Sequence, residues 1–197
     1  SDLKTEYKLA LITRLSEGMG KDLVLQPQNI EATFSAVSFF IETAKKESAE
    51  KIYAFATQAV RIAKNKELFC KEFFNRFGIC LDVVCGEKEA CLGLSGALFD
   101  NDGGVIDIGG ASTEIVVRKN SEIIYKKSLP YGCVVVTELC GQDYAHAKTF
   151  CEEFVNEYGI LPDSKYFGIG GTATSVAAMM LKLETYDAKK VNGFVVT

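Results

Sequence analysis

Residues 104–117 read GVIDIGGASTEIVV, a stretch that leaves its backbone few choices. The apolar run Val105–Ile108 is broken by one acid, Asp107; two glycines and two hydroxyl residues follow, then an alternation that sets Ile115 and Val117 on one face and Glu114 and Val116 on the other. That pattern predicts strand, tight turn, strand. Glycine backbones let a phosphate approach closely. The N–H groups of Gly109 and Gly110 with the hydroxyls of Ser112 and Thr113 suit its oxygens, and Asp107 at the strand end suits a hard cation. The alternative is a plain hairpin whose glycines serve the turn, with Asp107 as a turn acid. The stretch is not a P-loop, because it has no Gly-Lys-Ser/Thr and a strand rather than a helix follows.

A chain of 197 residues, 48% hydrophobic and 24% charged, is long enough for a real core in one domain or two small ones. Its 22 basic and 26 acidic side chains leave a net charge of −4, which argues against broad electrostatic capture of nucleic acid or of an anionic membrane. No apolar run reaches membrane-spanning length and the first residues lack a signal-peptide pattern, so the expected location is the cytoplasm. Seven cysteines without a CxxC pair, several in apolar runs, suggest buried free thiols in a reducing compartment. His146 is the only histidine, which argues against histidine-based triads and histidine-rich metal sites.

In chain order, Glu6–Arg14 suits a strand, and Asn29 suits the N-cap of an amphipathic helix ending near Lys46. Lys51–Ala56 reads as a short strand leading into a helix from about Thr57. A further helix from Lys66 stops at Gly78, and Ile79–Val84 reads as a buried strand. A helix from Glu87 to about Leu98 follows. Glu87 and Glu89 in its first turn serve the helix dipole or, at such a strand-to-helix junction, place a general base. Phe99–Gly103 is the most linker-like segment, so a domain boundary is expected there, giving residues 1–102 and 103–197. Beyond the central stretch, Glu122–Leu129 completes a hairpin, Cys133–Leu139 begins a helix, and Asp143–Tyr158 is a clearer one stopped by Gly159. A second glycine loop, Gly168–Gly171, opens a helix from Thr172 to Leu183, with Thr172 as its cap and free N–H groups that suit an anion. The tail, Val191–Thr197, is strand-like.

Taken together, ATQAVRIAKN (56–65), CGEKEA (85–90), IDIGGASTEIVV (106–117), SLPYGCVVVTE (128–138) and GIGGTATSVAAM (168–179) resemble, in order, the motifs of the exopolyphosphatase and guanosine pentaphosphate phosphatase (Ppx/GppA) family. The resemblance implies an α/β fold of two ribonuclease-H-like lobes, as in the actin, sugar-kinase and Hsp70 (actin-like ATPase) superfamily, with phosphate bound in the cleft between lobes. It implies a phosphate loop at Asp107, Gly109, Gly110, Ser112 and Thr113, with Asp107 and Glu114 toward Mg²⁺ or another divalent cation. The catalytic glutamate matches Glu89, and Lys88 stands where the family has the first of two paired acids. That exchange lowers the local negative charge and favours an ionised Glu89. Arg61 matches the arginine suited to clamp a phosphate. Gly170, Gly171 and Thr172 match the segment that meets a nucleotide base or another phosphate.

Two departures stand out. Ala111 replaces the family's third glycine, which would strain the loop if that position needs a positive φ. The family's opening Asp-x-Gly-Ser-Asn-Ser strand and loop, and the helices that finish its second lobe, have no counterpart here, so the expected fold is truncated at both ends. The function implied is metal-dependent hydrolysis of a phosphoanhydride: the terminal phosphate of inorganic polyphosphate or the 5′ phosphate of guanosine pentaphosphate, with homodimers expected from the family. The rivals are a polyphosphate- or alarmone-binding module without turnover, which would recognise guanosine penta- or tetraphosphate, and, more weakly, an actin-fold kinase for a small alcohol.

Overall fold

The computed structural model describes residues 8–196, and the chain falls into two compact units that divide between Val83 and Val84.

In the first unit, α1 (Pro27–Lys46) starts with proline in its first turn and ends on Lys45 and Lys46, both favourable to a helix. Asn29 is not its cap: Gln26 holds that position, and the Asn29 side chain donates to the Glu17 carbonyl at 2.7 Å. Strands β1 (Ala54–Ala56) and β2 (Leu81–Val83) pair in parallel, linked through the short helix α2 (Gln58–Ile62) and α3 (Lys66–Phe77). The core is aromatic, because Phe69, Phe73 and Phe77 recur every four residues along one face of α3. Phe34 of α1, fully buried, meets them at centroid distances of 5.1, 6.0 and 5.7 Å. Gly78 ends α3 in the left-handed conformation, as its sequence implies. The expected strand at Glu6–Arg14 is not found over residues 8–14, and its first two residues lie outside those described.

The second unit opens with α4 (Gly86–Leu98), then β3 (Gly103–Ile108), β4 (Thr113–Lys119) and β5 (Glu122–Leu129). Helices α5 (Cys133–Cys140) and α6 (Tyr144–Val155) come next, then a 3-10 turn (Asn156–Tyr158), β6 (Tyr166–Ile169), α7 (Gly170–Met180) and α8 (Ala188–Val191). The sheet order is β5-β4-β3-β6, antiparallel across the first three strands and parallel between β3 and β6, as in a ribonuclease-H-like lobe. One face carries Val105 and Val116 against Ala90, Leu94 and Leu98 of α4; the other carries Ile115 and Leu129 against Tyr158 of the 3-10 turn. Both faces of β4 are therefore covered.

Packing of α4 moves the division away from the expected 102/103 position, since its apolar stripe has its partners on β3 and β4. The segment that reads as a linker is tied down as well. Arg118 Nε donates to the Asn101 carbonyl at 3.1 Å, and the Asp102 carboxylate accepts the N–H groups of Asn120 at 2.7 Å and Ser121 at 3.1 Å. Two further expectations change. Of the seven free cysteines only Cys140 is buried, while Cys80, Cys85 and Cys133 are exposed, the last two at helix starts. The tail forms α8 with no strand over residues 192–196, and Thr197 lies outside the described residues.

Candidate functional site

The site grows from the end of β3. Asp107 stands in register with Glu114 on antiparallel β4 and with Ile169 on parallel β6, so the two acids point to the same face of the sheet. This is the face that α4 covers. Gly170 leaves room for the Asp107 carboxylate, because a Cβ there would lie 2.4 Å from Oδ1; one on Gly93 of α4 would stay at ordinary contact, 3.9 Å from Oδ2.

Between β3 and β4, the Gly109 N–H donates to the Ser112 carbonyl at 3.0 Å and closes the turn. The carbonyls of Gly109 and Gly110 accept the N–H groups of Cys133 and Val134, each at 2.9 Å, so the first donors of α5 are spent on holding the turn. Gly132 permits that approach, because a Cβ there would come within 2.4 Å of the Gly110 carbonyl carbon. With the Gly109 and Gly110 carbonyls held, Gly110 and Ala111 have N–H groups that meet no backbone acceptor among the described residues. Ala111 does not have positive φ, so its methyl group brings no backbone strain.

The two hydroxyls are engaged within the protein. Thr113 Oγ1 donates to the Tyr131 carbonyl at 2.7 Å, and the Ser112 hydroxyl binds the Glu114 carboxylate; both residues are buried. The turn's donors that meet no backbone acceptor among the described residues are therefore the Gly110 and Ala111 N–H groups, more than the hydroxyls the sequence suggests.

Glu89 lies in the first turn of α4, half-buried, with its N–H on the Cys85 carbonyl at 2.9 Å. Glu87 turns instead to Lys126, at 2.6 Å. Burial lifts the Asp107 carboxyl above the usual carboxylate range. Glu114, 2% exposed, is lifted chiefly by burial and also by the charges of Glu89 and Asp107, while hydroxyl donors Ser112 and Ser128 pull the other way. Three acids thus share one electrostatic environment. Among the described residues no three His, Cys, Asp or Glu side chains form a ready-made cage. The opposed pair Asp107 and Glu114 still fits Mg²⁺, which takes one or two protein carboxylates and completes its shell with water and phosphate oxygens.

Gly170, Gly171 and Thr172 form the first turn of α7, where unpaired helix N–H groups gather beside Asp107. Thr172 is inside the helix rather than its cap, a position Ile169 takes, because the chain already turns helical at Gly170. Arg61 belongs to the first unit, on α2, where its Nε donates to Gln58 Oε1 at 2.9 Å. The second unit therefore assembles every other expected site residue.

Three contributors were not singled out from sequence. Gly93 carried a signal, a glycine inside a helical pattern. Ser128, whose Oγ donates to Glu114 Oε1 at 2.7 Å, could be found by counting register across the β4–β5 hairpin. Tyr158, whose hydroxyl donates to the Thr113 carbonyl at 2.6 Å across 45 positions, carried no local signal.

The Ppx/GppA phosphatase family model matches residues 5–197. A bifunctional 3-dehydroquinate synthase/phosphatase of Fusobacterium nucleatum is 31% identical over 96% of the chain and 32% of its own length. A guanosine-5'-triphosphate,3'-diphosphate pyrophosphatase of Photobacterium profundum is 28% identical over 91% of the chain and 39% of its own length. The Ppx/GppA enzyme structure from Aquifex aeolicus superposes with a TM-score of 0.75 at 30% identity, covering 95% of this chain and 66% of that one. The chain thus spans about a third of the length of these two curated relatives. Among the described residues no helix is long and apolar enough to cross a membrane.

Proposed function

Because the chain belongs to the Ppx/GppA phosphatase family, we propose that its second unit carries the phosphate turn and the acids of a divalent-metal-dependent phosphoanhydride hydrolase. The substrate is a chain that ends in phosphate: inorganic polyphosphate, or guanosine pentaphosphate through its 5′ phosphate. The observation that carries this reading is the pairing of Asp107 with Glu114, within electrostatic reach of Glu89, beside a turn whose Gly109 and Gly110 carbonyls are held and whose Gly110 and Ala111 N–H groups meet no backbone acceptor among the described residues. Membership of the family supports the reaction class.

In this reading the Gly110 and Ala111 N–H groups receive the terminal phosphate oxygens, at a spacing fixed by the Gly109–Ser112 closure. The first turn of α7, at Gly170, Gly171 and Thr172, receives a second anionic group of the substrate. Asp107 and Glu114 would hold Mg²⁺, which offsets negative charge on the phosphates when bound. Glu89, at the mouth of α4, orients the attacking water and takes its proton. Asp107 and Glu114, carboxyls that burial makes reluctant to ionise, favour a bound cation as countercharge.

The test is phosphate release from polyphosphate with Mg²⁺, comparing the chain with Glu89→Gln. Release should fall on the order of 10²- to 10⁴-fold with binding largely kept. Equal release from both would remove Glu89 from the mechanism. Metal-dependent binding with no release from either would identify a binding module.

A further inference from the structure

Ser128 sits at the end of β5, in register with Glu114, which is itself in register with Asp107. The three side chains form a row across three neighbouring strands. The middle member is 2% exposed, so an ionised Glu114 draws little help from bulk solvent and depends on donors supplied by the protein. Ser112 supplies one from within the turn; Ser128 supplies the other at 2.7 Å from Oε1, from a different strand.

We infer that Ser128 is a positioning residue that orients the Glu114 carboxylate toward the cation site it shares with Asp107. This rests on the hydrolase reading for the cation and on the row geometry for the orientation. A carboxylate on a β-strand can rotate about its last side-chain bonds, and a short hydrogen bond from the neighbouring strand removes that freedom. Ser128 has no need to touch substrate, since its hydroxyl proton is committed to Glu114. Outer partners of metal-binding carboxylates commonly govern metal affinity by tenfold to a hundredfold, roughly. Along β5, Glu122, Ile123, Ile124 and Lys126 are exposed, Tyr125, Lys127 and Ser128 are half-buried, and Ser128 is the residue that register sets opposite Glu114.

The experiment compares the chain with Ser128→Ala and Ser128→Thr by two readouts. The first is Mn²⁺ affinity, followed by the electron paramagnetic resonance of the free ion. The second is the carbon-13 resonance of the Glu114 carboxyl without metal. The expected result is roughly a tenfold or greater loss of Mn²⁺ affinity in Ser128→Ala, near-native affinity in Ser128→Thr, and a displaced Glu114 resonance only in the alanine variant. Thermal unfolding of both variants confirms that each is folded. Native Mn²⁺ affinity in Ser128→Ala, or equal loss in Ser128→Thr, would overturn the inference, because the hydroxyl would then be irrelevant. If the unaltered chain binds no Mn²⁺, the cation part of the hydrolase reading falls, and the Glu114 resonance alone decides whether Ser128 orients the carboxylate.

Discussion

Gly170 and Asp107 fit together only because one of them lacks a side chain: a Cβ on Gly170 would lie 2.4 Å from Asp107 Oδ1. The same glycine has φ of 82°, a conformation that side chains resist. Its position therefore serves two needs, the left-handed entry into α7 and the space for a carboxylate.

Gly170→Ala is accordingly expected to cost at least about 1 kcal/mol of stability, from the unfavourable φ alone, and to displace Asp107. Gly93→Ala is the control. Its Cβ would meet the Ile169 Cδ1 methyl at 3.0 Å, the end of a flexible side chain, and stays 3.9 Å from Asp107 Oδ2. Thermal unfolding and Mn²⁺ titration of both variants should separate them, with metal affinity lost in Gly170→Ala and largely kept in Gly93→Ala. Equal behaviour would show that the Asp107 contact is unimportant.

Asp107 and Glu114 should also mark the pH dependence of folding. Burial raises both carboxyls, so the folded chain keeps protons that the unfolded chain releases. Their stabilising contribution is full below the usual carboxylate range and is lost as pH rises through the folded values. Asp107→Asn removes one of these groups. Urea unfolding from about pH 4 to about pH 7 should therefore show a shallower decline for the variant than for the unaltered chain. Parallel curves would mean that Asp107 ionises as freely when folded as when unfolded. Saturating Mg²⁺ should restore more stability to the unaltered chain than to Asp107→Asn, because a cation that binds the folded form stabilises it.

Tyr158 braces the strand that follows the turn. Its ring is 6% exposed, its hydroxyl donates to the Thr113 carbonyl, and its own carbonyl accepts the Tyr125 hydroxyl at 2.6 Å. Burial, and then the charge of nearby Glu114, push the phenol above its ordinary range, so it remains a donor throughout the working pH range. Tyr158→Phe keeps the packing and deletes the donor. The expected cost is about 1 kcal/mol, with faster amide exchange at residues 109–113. Unchanged exchange there would reduce Tyr158 to a packing role.

Much of this was legible in the order of residues. The β3–turn–β4 stretch, the αL stop at Gly78 and the helices after Gly86 and Cys133 follow from local rules, and the structure has them within a residue or two. So does the placing of Glu114 and Val116 on one face of β4, since strand side chains alternate whatever lies around them. The misplaced features have a common cause. Phe99–Gly103 has loop composition, yet Arg118 and Asp102 fasten it within the second unit. Thr172 looks like a cap, yet Gly170 is already helical. Strand-like residues at the tail find no partner strand among the described residues.

The sequence by itself determined the α/β elements, the family and the chemical types available at the site, because propensity, alternation and glycine placement act over a few residues. Tertiary structure decided which groups are free to act. The Thr113 and Ser112 hydroxyls turn to protein acceptors and the carbonyls of Gly109 and Gly110 turn to α5. Glu114 is paired with Asp107 on one side and Ser128 on the other. Hydrogen bonds and burial of this kind join residues far apart in the chain, and only the folded packing satisfies them together.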